Sequence, residues 1–113
     1  MIMEPDKPDI RISDVVISTA GRDCGQLFYC VETDGVYAHL VNGKDRTLDK
    51  PKRKKLKHVS KVLRAETRVA AKLIAGDKVL NSELRKDVAF FSRELNSHNH
   101  GGYNLGKRRR NRN

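Results

Sequence analysis

The sequence predicts a mainly β fold. Five short strands should curl into a small barrel over residues 12–62, followed by a helical extension over 63–96 and a basic, disordered tail over 97–113. Three observations lead there. β-branched and apolar runs alternate with turn dipeptides through the first half of the chain. Beyond Val62 the apolar spacing changes from that of strands to that of helices. Charge is polarised as well: residues 1–49 carry five Lys/Arg and nine Asp/Glu, a net of −4, while residues 50–113 carry nineteen and five, a net of +14.

The elements follow in order. Residues 1–11 hold two prolines and mixed charge and read as a flexible leader. Asp14 to Ala20, "DVVISTA", is the first strand, and the turn "GRDCG" ends it. Leu27 to Thr33, "LFYCVET", is the second. Asp34-Gly35 is a strong hairpin signal, and Val36 to Val41 answers it as the returning strand. Asn42-Gly43 reads as a second tight hairpin, leading to a short strand at Arg46 to Leu48. Then comes "KPKRKKLKH", Lys50 to His58, six of whose nine residues are Lys or Arg. Pro51 stiffens its entry and Leu56 offers an inward anchor, so it reads as an ordered loop rather than a free tail. A last strand runs from His58 to Val62. Strands this short cannot bury a flat sheet, and closing into a barrel removes exposed edges.

In "TRVAAKLIAG", Val69, Leu73 and Ile74 share a helix face, with Gly76 as the stop. "NSELRKDVAFFSREL" is a second helix. Asn81 or Ser82 can cap it, Glu83 suits its positive end, and Leu84, Val88, Phe91 and Leu95 form one apolar stripe. That stripe packs on the same fold or serves as a protein-binding face.

With 37% hydrophobic residues, 5% aromatics and no Trp, the core must be modest. A net charge of +10 concentrated in the second half points to nucleic acid, because a dense cationic surface displaces the counterions of a phosphate chain. No apolar run approaches the ~18 residues of a membrane span, and none follows the N-terminus as in a signal peptide. A cytoplasmic protein, monomeric when free, is expected. Cys24 and Cys30 read as reduced thiols, one in a turn and one in a strand. The histidines at 98 and 100 lack the further ligands a metal site needs. No catalytic constellation or cofactor motif is present, so an enzyme is not expected.

Three stretches together carry a family resemblance: "GRDCG" after the first strand, "NGKDR" at the second hairpin, and "KPKRKKLKH" before the last strand. Over residues 12–62 the chain resembles the KOW-domain RNA-binding proteins. It is similar in particular to small bacterial relatives of KOW-domain ribosomal proteins of the archaeal and eukaryotic large subunit. The family favours Lys or Arg after the second glycine of the turn, where this chain has Gln26. The resemblance implies an SH3-like barrel, RNA binding without a cofactor, and a place near the ribosome or a ribosomal protein.

The candidate RNA-binding residues are Gly21, Arg22, Gly25, Gln26, Lys44, Arg46, Lys52, Arg53, Lys54, Lys55, Lys57 and His58, with Lys107, Arg108, Arg109 and Arg110 of the tail. The glycines allow a sharp turn close to a ligand, and Arg22 offers a bidentate fork to phosphate. Alternatively, Arg22 pairs with Asp23 or Asp45. Replacing Lys52, Arg53 and Lys54 by Ala should leave the fold intact. Tyr29 and Tyr37 either stack bases or pack half-buried. Two further readings stay open: an SH3-like protein-interaction adaptor using the helix stripe or a barrel groove, and a nuclear import signal in "PKRKK".

Overall fold

A computed structural model describes residues 9–98 of the chain. It contains β1 (Asp14–Ser18), β2 (Leu27–Thr33), β3 (Tyr37–Val41), β4 (Lys52–Lys55) and β5 (Val59–Arg64), then α1 (Arg68–Ala75) and α2 (Asn81–His98). A single 3₁₀ turn, Leu56–His58, separates β4 from β5. The strands form one antiparallel sheet in the order β4-β3-β2-β1-β5. No helix among the described residues is long and apolar enough to cross a membrane.

The sheet buries apolar side chains on both faces. Val16, Phe28, Cys30, Ala38 and Leu40 pack with Leu56 and Val59 on one face. Val15, Ile17, Leu27, Tyr29 and Val41 pack with Val69, Ala70, Leu84 and Phe91 of the helices on the other. This explains why β1 is buried at every position instead of alternating. Cys30 is a free thiol in this core, and burial pushes it up to about 11, so it stays protonated and inert at neutral pH. Cys24 is free and exposed.

The helix stripe faces its own fold. Leu84 and Phe91 are buried, and Val88 and Leu95 pack beside them against the helix-side core. Phe91 meets the Tyr29 ring edge-on, 6.3 Å between centroids. On α1 the buried positions are Val69 and Ala70, while Ile74 points outward, 67% exposed. Gly76, at φ 78°, ends α1 as the sequence predicts, and Thr67 caps its start by accepting from the Ala70 N–H.

Tyr29 is fully buried, so it is not a base-stacking surface. Its hydroxyl donates to Asp87 Oδ2 at 2.7 Å, and the Thr67 hydroxyl donates to the same oxygen at 2.7 Å. One carboxylate thus ties β2, the cap of α1 and the middle of α2. Burial, opposed by the Thr67 bond and reinforced by Asp87, raises the Tyr29 hydroxyl well above its ordinary value. Asp87→Ala removes the acceptor that the buried Tyr29 hydroxyl and the partly buried Thr67 hydroxyl share, leaving them only each other at 3.1 Å. It should lower the unfolding free energy by about 1–3 kcal/mol in urea titration, and a loss within noise would show that the network holds nothing together.

Four expectations are corrected. The basic run is not a loop: Lys52–Lys55 is strand β4, paired with β3 from Tyr37↔Lys55 to Leu40↔Lys52. Arg46–Leu48 is not a strand, and Asn42-Gly43 is not a two-residue hairpin. Asn42 Oδ1 accepts the N–H groups of both Lys44 and Arg46, and this capture closes a turn where a strand was expected. His58 closes the 3₁₀ turn rather than opening the last strand. Glu83 lies in the first turn of α2 as expected and accepts the Leu80 N–H and the Lys72 ammonium, but Asn81 accepts the Leu48 N–H from outside the helix.

Candidate nucleic-acid interface

The turn between β1 and β2 organises the site. Gly21 and Gly25 have φ of 87° and 94°, conformations that a β-branched residue adopts poorly. The Gly25 N–H donates to Ser18 O at 2.8 Å, which folds the turn back on β1. At its centre the Asp23 carboxylate accepts from Ser18 Oγ at 2.6 Å and from Lys54 Nζ at 2.9 Å. Lys52 Nζ stands 3.9 Å from its second oxygen. Partial burial works against the charge on Asp23. The Ser18 and Lys54 bonds, with the charges of Lys54 and Lys52, outweigh it and hold the carboxyl below its ordinary value.

The members of the basic run divide by the pleat of β4. Lys52 and Lys54 lie opposite Leu40 and Ala38 and share the face that turns toward Asp23. Lys54 is buried, and its ammonium is held by Ala20 O at 2.8 Å and by Asp23. A Cβ on Gly21 would stand 3.3 Å from that ammonium, so the turn is wrapped closely over Lys54. Arg53 and Lys55 lie opposite His39 and Tyr37 on the other face and are exposed. Arg53 lies over the Tyr37 ring, its guanidinium carbon 3.6 Å from the centroid. Lys57, in the 3₁₀ turn, is exposed, and His58 is half-buried.

Three segments distant in sequence meet at one cleft of about 210 Å³, lined by Arg22, Asp23, Gln26, Phe28, Asp45, Arg46 and Lys52. Four of the candidate residues therefore come together: Arg22 and Gln26 from the turn, Arg46 from the loop after β3, and Lys52 from β4. Lys44 is exposed but does not line the cleft. Lys107 to Arg110 lie outside the described residues, as do residues 1–8 of the leader. Neither Asp23 as the holder of Lys54 nor the Arg53–Tyr37 stack is legible from spacing. Asp23 and Lys54 are 31 positions apart, and only the sheet register joins them.

No family model matches the chain, and a comparison with curated proteins finds no match.

Proposed function

We propose that the chain is an SH3-like, KOW-type module that binds structured RNA, in the cytoplasm and in association with the ribosome. The observation that carries this reading is the cleft. It gathers Arg22, Arg46 and Lys52 from three separate segments beside the Asp23 and Asp45 carboxylates, while Lys55, on the opposite face of β4, and Lys57, in the turn after it, are exposed. Cations gathered from a turn, a loop and a strand suit the phosphate backbone of folded RNA, which proteins recognise largely by shape.

The topology supports the finer fold assignment. In a flat sheet, β4 and β5 would lie four strand spacings apart, about 19 Å. Yet Lys55 and Val59 are joined by only three residues, a reach of at most about 14 Å. So short a connection favours a sheet curled on itself, as in an SH3-like barrel. Of the two surfaces a protein adaptor would use, the helix stripe is packed on the sheet, which leaves only a barrel groove.

The test is the affinity for a short stem-loop RNA across a salt series. Five phosphate contacts from Arg22, Arg46, Lys52, Lys55 and Lys57 would give a log–log slope of about −3.5 to −4.5. Affinity should then fall by on the order of 10²-fold between about 50 and 200 mM salt. Absence of binding, or binding insensitive to salt, rules the RNA reading out.

A further inference from the structure

The face of the sheet that α2 covers over β2 continues beyond the helices onto β3 and β4. Val41 still belongs to the helix-side core, but along the same face β3 then presents His39 and Tyr37, and β4 presents Arg53 and Lys55. Here the Arg53 guanidinium lies over the Tyr37 ring at 3.6 Å while the residue as a whole stays exposed. One side of the guanidinium plane is applied to the ring. Arg53 differs in this from its neighbours. Lys55 carries a compact ammonium, whereas Arg53 carries a planar guanidinium already set against a ring. A planar cation fixed on an aromatic ring is a surface on which a nucleobase can stack, as bases do on Arg guanidinium planes.

Resting on the RNA reading above, we infer that Arg53, backed by Tyr37, is a stacking platform for one unpaired base, and that the preferred ligand is a stem carrying a bulged nucleotide. Arg53 and Lys52 are adjacent on β4 but emerge on opposite faces. A strand whose phosphates lie in the Lys52–Arg46–Arg22 cleft must cross the edge strand to reach the platform. A base paired within a continuous duplex cannot make that excursion, whereas a bulged base can. Asp34, whose carboxylate accepts the Val36 and Tyr37 N–H groups, fixes the backbone that carries the Tyr37 ring.

The experiment compares binding of two RNAs at one salt concentration: a perfect stem-loop and the same stem-loop with one extra unpaired nucleotide. The wild-type chain should prefer the bulged RNA by on the order of tenfold, the range base stacking supplies. Arg53→Lys keeps the charge and removes the plane, and should bring that ratio toward one. Tyr37→Leu, which frees the guanidinium, should do the same. Lys55→Ala should weaken both RNAs and leave the ratio standing. Equal affinity of the wild type for the two RNAs, or a preference that survives in Arg53→Lys, overturns the platform while leaving the RNA reading in place. Failure of the wild type to bind either RNA overturns both.

Discussion

Gly43→Ala is expected to lower the unfolding free energy by about 3–5 kcal/mol, placing it among the most damaging substitutions in the molecule. Two causes add. Gly43 has φ 78°, where an L side chain meets its own backbone. Its surroundings are also closed: an added Cβ would overlap Asn81 O and stand 2.6 Å from Arg85 N, both backbone atoms of α2. Neither can yield without moving the helix. The contact is reinforced from both sides, since Arg85 donates to Gly43 O at 3.1 Å and Asn81 accepts the Leu48 N–H at 2.9 Å. The loop after β3 is thus pressed on the first turn of α2, and it is this loop that delivers Arg46 to the cleft. Gly35→Ala is the control. Gly35 has φ 92° but nothing within 4 Å of an added Cβ, so it should lose only about 1 kcal/mol, the conformational part. Urea titrations of the two variants separate the causes. Equal losses would mean that the close approach of Gly43 to α2 is unimportant.

The contrast between these glycines also marks what the sequence can convey. Asp34-Gly35 was legible because its chemistry is local: the Asp34 carboxylate accepts two N–H groups within three residues, and the glycine supplies the positive φ. The end of α1 at Gly76 and the stripe of α2 were legible for the same reason. Asn42-Gly43 carries an equally strong hairpin signal but answers to partners elsewhere. Asn42 gathers two N–H groups of its own loop, and Gly43 is pinned by a helix some forty residues later. Strand β4 was hidden by composition, since four consecutive cations have no apolar alternation to reveal a strand. What makes them one is the pairing with β3 and a carboxylate in the first turn. At the site, the turn glycines, Arg22, Gln26, Arg46 and Lys52 were recognisable as residue types. The division of the basic run into inward and outward members depends on register, which spacing alone does not fix.

That division leads to the second large effect. Lys54→Met should lower the unfolding free energy by about 2–3 kcal/mol, somewhat less than the loss on breaking a fully buried pair. The discount is warranted because the Lys54 and Asp23 side chains remain 10% and 15% exposed. Removing the ammonium leaves Asp23 with the Ser18 hydroxyl and the more distant Lys52, and it leaves Ala20 O with the Ser18 hydroxyl alone. The turn that carries Arg22 and Gln26 would lose its tie to Lys54 of β4 while keeping its bonds to Ser18 of β1. Lys55→Met and Lys57→Met, on exposed positions, should stay within about 0.5 kcal/mol of wild type. RNA binding should order the same variants differently. Lys55→Met and Lys57→Met should each flatten the salt slope by about 0.7–0.9, the share of one phosphate contact. Lys54→Met, while folded, should leave that slope unchanged, because its ammonium already faces Asp23 and not the solvent. A double variant with Asp23→Asn should be less destabilised than the sum of the two single changes, since the charge left alone by one is removed by the other. Should Lys54→Met prove as mild as Lys55→Met in urea, or flatten the slope as much, Lys54 belongs with the exposed cations and the basic run acts as one undivided surface.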